Sequence, residues 1–352
     1  MADGKKRLRY IDFFKAIAIV LVVLGHINYA NQGVKSWIYS FHMPLFFFAS
    51  GLLLRSDRDL SLGDSARFVW KRFQSVIFPY FLWAMVYSAL TLPDLARIVY
   101  GSHQTLSGAG SLTSLWFLPT LFLSLLYFAV VRLVLKDRFR LPVKLVLFVA
   151  AFALARLLPG ISRGYPWCFD VSFCAFGFLL LGNVALPPLK ALYARFPGEK
   201  KGVLFWALVL ILSFAGTLTY RLNVPHTGSM VLMAEARYGS MPLFLLTAVL
   251  GIVFTMAAAV LLDILLPAEG KCPRAISFIG ENTMALFVLQ KPIIKVFQKV
   301  FERVPVPSAI ALVLTCIGTV ICCCLIAVFL NRWLPTAVGR VPQRDRPDGR
   351  RG

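Results

Sequence analysis

Apolar runs of about twenty residues, the length a helix needs to cross a bilayer, recur along the whole chain, separated by short polar or basic stretches. Ten of them can be counted, at 13–30, 37–54, 76–93, 115–131, 145–159, 168–186, 203–219, 240–266, 276–298 and 308–330. In hydrocarbon each backbone amide must be satisfied within its own segment, so such runs read as helices. The pattern predicts an all-α fold: a polytopic membrane bundle of about ten transmembrane helices, forming one domain over 1–334. The tail 335–352 is rich in Pro, Gly and Arg and reads as a basic, disordered segment at the membrane surface. No stretch between runs exceeds about 21 residues, so any chemistry belongs to the bundle itself. The opening "KKRLRYIDFFKAIAIVLVVLGH" is basic and then apolar like a signal peptide. No small-residue cleavage site follows it, so it reads as an uncleaved first helix.

Composition agrees. The 352 residues are 59% hydrophobic and 15% charged, with mean hydropathy +0.75, where soluble domains carry about 25% charged residues. The net charge of +21 raises the question of nucleic acid, which the placement of the charge answers. With the N-terminus inside, 26 Lys and Arg fall in cytoplasmic segments and 7 in outer loops, while Lys15, Arg156, Lys291 and Lys295 lie within the runs. That asymmetry is the positive-inside signature. It predicts cytoplasmic termini, contact with anionic membrane lipids and no nucleic-acid partner. The seven cysteines, mostly within apolar runs and never spaced as CxxC, read as small buried hydrophobes, not as a disulfide framework or metal site.

Three ionisable residues share one face of the first helix. Lys15 and His26 are eleven residues apart, within about 20° of three full turns, and Asp12 lies on the same face. The rise from Lys15 to His26 is about 16 Å, so Asp12 and Lys15 sit at one end and His26 deep toward the other. Asp12 and Lys15 fit either an interfacial ion pair or part of a functional stripe. His26 fits either a helix-bridging imidazole or a reactive one, since ionisable groups inside a bilayer generally face a cavity. The next run returns as "FHMPLFFFASGLLL", bringing His42 to the level of His26, with Pro44 expected to free a carbonyl and kink the helix. His103 and His226 fall in outer loops and read as solvated, and "SGAGS" (107–111) reads as a flexible loop.

These stretches resemble the acyltransferase-3 family of membrane enzymes. "YIDFFKAIAIVLVVLGH" is similar to the family's opening, in which an Asp is followed three residues later by Arg or Lys and eleven after that by an essential His. "FHMPLFFFASGLLL", "KRFQSVIFPYFLW" (71–83), "LWFLPTLF" (115–122), "FGFLLLGN" (176–183) and "FIGENTMALFVLQKPI" (278–293) fit its later stretches. The pattern is closest to the branch of fucose 4-O-acetylase-like enzymes and extends over nearly the whole chain. Two positions depart from it. Lys15 stands where many members have Arg, keeping the charge but losing the bidentate fork; Gln290 stands where the family often has His.

The resemblance implies a ten-helix enzyme of a bacterial plasma membrane. It would take an acyl group, expected to be acetyl from acetyl-CoA, and place it on a hydroxyl of a glycan or other acceptor, without a metal. His26 is then the expected general base, because a neutral imidazole at physiological pH suits removal of a hydroxyl proton, with Asp12 and Lys15 as its catalytic companions. Lys15, Arg67, Lys71 and Arg72 are the expected partners of the CoA phosphates; Arg67 and Lys71 are four residues apart and share a face if helical. Asn28, His42, Trp116 and Asp170 are expected on the acceptor side, Trp116 either as an interfacial aromatic or as a platform for a sugar ring. A transporter or flippase also uses intramembrane His, Asp and Lys. Such proteins often carry repeated halves, and the stripe has no counterpart in 180–330. A catalytically inactive scaffold would have no need of the intact Asp12–Lys15–His26 set.

Overall fold

The computed structural model describes residues 8–54, 61–136, 140–304 and 306–341. The chain runs α1 (Arg9–His26), α2 (Gln32–Tyr39), α3 (His42–Leu52), α4 (Leu62–Arg72), α5 (Phe78–Tyr87), α6 (Leu92–Tyr100), α7 (His103–Leu106) and α8 (Phe117–Leu135). It continues through α9 (Leu141–Leu157), α10 (Phe169–Arg195), α11 (Lys200–Thr217), α12 (Tyr220–Thr227), α13 (Met241–Leu265), α14 (Lys271–Glu281), α15 (Thr283–Phe301) and α16 (Ser308–Trp333). A π-helical turn, Phe73–Ile77, joins α4 to α5, and a 3-10 segment, Ser107–Trp116, joins α7 to α8.

Five segments among the described residues are long and apolar enough to cross a membrane: Gly110–Leu135, Pro166–Arg195, Lys200–Thr227, Met241–Leu265 and Ser308–Trp333. Each coincides with one of the ten expected runs. Two other runs are not single helices. The run 37–54 breaks after Tyr39, and Pro44 sits in the first turn of α3. There its missing N–H is one of the donors that have no helical partner in any case, so proline starts a helix instead of kinking one. The run 276–298 breaks at Asn282. That residue's amide donates to the Phe278 carbonyl at 2.8 Å, and its Oδ1 accepts from Asn331 and Arg340 at 2.6 and 3.1 Å. The side chain thus holds the helix junction together.

Outward faces are apolar: Leu208, Ile211 and Leu212 on α11, and Ile317, Ile321, Leu325 and Val328 on α16, are all exposed. Such stripes would be an aggregation hazard in water and are the ordinary surface of a helix in lipid. Inside, Phe13, Phe14, Phe41, Phe47, Phe128, Phe178 and Phe244 are fully buried. Two helix pairs approach to backbone contact. A Cβ on Gly51 of α3 would lie 2.0 Å from the Leu179 carbonyl oxygen of α10, and one on Gly182 of α10 would lie 2.0 Å from that of Phe48. Likewise a Cβ on Gly280 of α14 would lie 1.9 Å from the Asp12 carbonyl oxygen of α1.

The chain beyond α16 is described as far as residue 341. Residues 335–341, read from sequence as part of the tail, include a 3-10 turn, Pro335–Val338, that packs on α5. The Trp83 indole donates to the Ala337 carbonyl at 2.8 Å, and Gly339, with φ of +74°, comes so close to the Ser75 carbonyl that a Cβ would lie 2.3 Å from it. Arg340 closes the clasp on Asn282. The rest of the expected tail lies outside the described residues.

Gly51→Val should destabilise the solubilised protein by at least the 1–3 kcal/mol typical of overpacking, because the obstacle is backbone. Gly160→Ala, with nothing within 4 Å of the new methyl group, should stay within about 0.5 kcal/mol. Thermal unfolding in detergent distinguishes the two; equal midpoints would remove the backbone contact from the account.

Candidate active site

α1 begins beside α14, where Gly280 meets Asp12, and ends beside the far half of α15, where the Tyr29 hydroxyl donates to the Gln298 carbonyl at 3.2 Å. The two helices therefore run in the same sense, with a near end at Asp12 and a far end beyond His26. At the near end Asp12 is buried and its carboxylate pairs with the Lys15 ammonium at 2.9 Å. Of the two alternatives the sequence leaves open, an ion pair is formed, and it does not by itself exclude a place in a functional stripe. Beside it Arg9 bonds the Asp263 carboxylate and donates to the Leu266 and Pro267 carbonyls just past the end of α13, and the Tyr193 hydroxyl donates to Asp263 at 2.8 Å.

At the far end His26 and His42 line one cavity of about 160 Å³. Each ring is oriented by its own strand of chain. The Nδ1–H of His26 donates to the Val22 carbonyl at 2.7 Å, and that of His42 to the Ile38 carbonyl at 3.0 Å. In both, Nε2 is left as the lone-pair nitrogen. Tyr39 stands between them, its ring centroid 6.4 Å from that of His26 and 4.7 Å from that of His42. Trp116 also lines the cavity.

Two residues complete it unexpectedly. His103, read as a solvated loop residue, is largely buried here. Its Nδ1 lies 3.7 Å from Glu235, which in turn pairs with Arg237 at 2.8 Å. Burial pulls the His103 imidazole below its ordinary value while Glu235 pulls the other way; Lys291 and Arg237 add to the first effect. Lys291 of α15 enters from the opposite wall. No local pattern announces His103, since the charged groups it meets, Glu235 and Lys291, come from segments more than a hundred residues away. Lys291 did carry a signal, being a charge inside an apolar run. The "SGAGS" stretch belongs to the 3-10 segment whose Thr113 and Ser114 face the same cavity. Loops knit this end together: Tyr80 and Trp167 donate to the Ile98 and Val99 carbonyls, and Tyr100 to that of Gly164.

Other expected site residues lie elsewhere. Asn28 is exposed and is not part of the cavity wall. Asp170 lines a separate cavity of about 350 Å³ with Arg156, Glu235 and Arg237. Arg67 is exposed and already paired with Asp64 at 2.7 Å. α4 packs mainly along α8, so Arg67, Lys71 and Arg72 are not gathered against α1. Lys71 is exposed, and Arg72 lies over the Phe68 ring with its guanidinium 5.0 Å from the centroid. Gln290 is fully buried, its amide donating to the Phe287 carbonyl at 3.3 Å, and it does not line the cavity. A groove of about 410 Å³ between α4 and α8 is walled by Leu62, Val69, Trp70, Phe73 and Phe122 and has no ionisable side chain to offer.

Proteins of known relationship place this arrangement. A family model described as an acyltransferase domain matches residues 8–328, which reach from the start of α1 almost to the end of α16. The nodulation protein NolL of Mesorhizobium japonicum is 26% identical over 247 residues, 59% of this chain and 54% of that protein. The nodulation protein NolL of Sinorhizobium fredii is 39% identical over 80 residues, 18% of this chain and 22% of that protein. The chain spans about half the length of the first of these relatives and under a quarter of the second. With the family match running through the buried Asp12–Lys15 pair and the histidine cavity alike, the chain belongs to the acyltransferase-3 family.

Proposed function

We propose that this protein is a membrane O-acyltransferase that moves an acyl group, acetyl in the first instance, from acyl-CoA to a hydroxyl of a cell-surface or lipid-linked glycan. The observation that carries the reading is His26. Its Nδ1–H is committed to the Val22 carbonyl, and the ring lines a cavity shared with His42, His103 and Lys291. A base held in one tautomer beside a cation suits removal of a proton from a hydroxyl whose oxygen attacks a carbonyl.

In this reading His26 Nε2 takes the hydroxyl proton as the new C–O bond forms, and the Lys291 ammonium steadies negative charge growing on the carbonyl oxygen. His42 and Tyr39 hold the His26 ring in place, and Trp116 offers a face to the acceptor. The thioester supplies the activated acyl group, its thiol leaving as the C–S bond breaks. Charge asymmetry along the sequence puts the near end in the cytoplasm, where CoA is available. The donor then approaches from the Asp12–Lys15 end, along a helix that rises about 16 Å to His26. Lys71 and Arg72, which have no carboxylate within ion-pair reach among the described residues, are the better phosphate partners of the basic group. Arg67 is already matched by Asp64.

Purified protein given acetyl-CoA and a glycan acceptor should release free thiol and acylate the glycan. His26→Ala should lower the rate by about 10²–10⁴-fold, the usual contribution of a general base, with expression unchanged. A variant retaining more than a tenth of the wild-type rate would contradict the assignment.

Lys71→Gln with Arg72→Gln should raise KM for acetyl-CoA more than KM for the acceptor. A topology reporter fused to the same variant controls for altered insertion. An equal rise in both constants, with insertion intact, removes these two residues from donor binding.

A further inference from the structure

α15 carries Lys291, Lys295 and Lys299, four residues apart. Successive members of such a series drift by only about 40° around a helix, so all three lie along one side. The first lines the histidine cavity; the other two lead from it toward the far end, spanning about 12 Å of rise from Lys291 to Lys299. This is an expensive arrangement. Lysines within or beside a bilayer span are costly, and the charge asymmetry of the chain leaves few on this side.

The lysines are not neutralised from within. Among the described residues the carboxylates within ion-pair reach go to Arg9, Lys15, Arg67, Arg97, His103 and Arg237, and none goes to these three. Glu235, the nearest acid to the cavity, is matched by Arg237. Glu302 follows Lys299 but stands beside Arg303, and Lys35 of α2 adds a further positive charge near His26. Lys295 does not turn away into lipid. Its ammonium lies over Gly110, 2.9 Å from where a Cβ would stand, on the 3-10 segment whose Thr113 and Ser114 face the cavity. The row therefore edges the mouth of the site.

Resting on the acyl-transfer reading, we propose that the acceptor is anionic: Lys295 and Lys299 hold a phosphate or carboxylate of the acceptor while its hydroxyl reaches His26. The donor phosphates are served at the opposite end, which leaves this row for the second substrate. A negative group within about 12 Å of the reacting hydroxyl, the length of the row, is the chemical requirement.

The test measures binding separately from catalysis. The full-length protein, in nanodiscs of uncharged phosphatidylcholine, is titrated calorimetrically with inorganic pyrophosphate and, in a second arm, with glucuronate. Lys295→Gln with Lys299→Gln should weaken at least one probe by tenfold or more, and the probe affected identifies the anion as phosphate or carboxylate. Lys200→Gln with Lys201→Gln, which removes two exposed charges at the near end, should leave both titrations as in wild type. Saturating CoA should not displace the probe. Equal affinity in both variants overturns the proposal. So does displacement by CoA, which would assign the row to the donor. Loss of pyrophosphate binding in discs containing phosphatidylglycerol, with no loss in uncharged discs, would assign it to lipid headgroups and also overturn the proposal. If thiol release fails under every condition while the lysine variant still loses the probe, the anion site stands and the acyl-transfer reading falls.

Discussion

Backbone-to-backbone contact between helices is the constraint on which the other features rest. Where Gly51 and Gly182 face each other, α3 and α10 touch without an intervening side chain, and Gly280 brings α14 equally close to α1 at Asp12. Lipid tails are as apolar as leucine, so association in a bilayer depends on close packing more than on burial of apolar area. These contacts fix α1 and α3 relative to the rest, and those two helices carry Asp12, Lys15, His26 and His42. Without them the cavity would have no defined width.

Within that frame most of the charged and amide groups described above follow one rule: in hydrocarbon a polar group is best satisfied by a partner in protein. Asp12 finds Lys15, Asp263 finds Arg9 and Tyr193, and Lys144 donates to Asn183, whose own amide donates to the Leu54 carbonyl. Pro292 leaves the Val288 carbonyl without its helical donor, and the Tyr87 hydroxyl supplies one at 2.8 Å. Two histidines obey the rule through their own chain, each spending Nδ1 on a carbonyl four residues back. Structure and reactivity are thereby joined, because the bond that makes an imidazole tolerable inside the bundle also decides which nitrogen is left to react.

How much of this was legible in the sequence differs from residue to residue. The Asp12, Lys15 and His26 stripe follows from helical periodicity within one segment, and its geometry survives folding intact. The meeting of His26 with His42 was half legible, since a hairpin sets a common level but not an orientation; the break at Tyr39 and the Nδ1 bonds are three-dimensional facts. His103 was misread because loop position suggests water, whereas here the ring is largely buried in the cavity wall beside Glu235. Asn28 and Asp170 were misplaced for a related reason. Proximity along the chain to a site residue, or to the right membrane level, says nothing of which side of a hairpin a side chain occupies. Arg67 shows the limit of charge counting, since its partner Asp64 sits within the same helix turn.

The clasp formed by residues 335–340 bears on how the protein is made. Trp83 is synthesised early, and Asn282 well before the end, yet the carbonyl of Ala337 and the guanidinium of Arg340 that complete them are among the last described residues to leave the ribosome. Membrane insertion proceeds helix by helix, so the Trp83 indole lacks this acceptor, and the Asn282 Oδ1 its second donor beside Asn331, until synthesis has passed α16. Every residue lining the histidine cavity has been synthesised before that moment. The cavity can therefore be populated in a chain whose opposite end is still open, and closure belongs to a late, post-insertion stage of assembly.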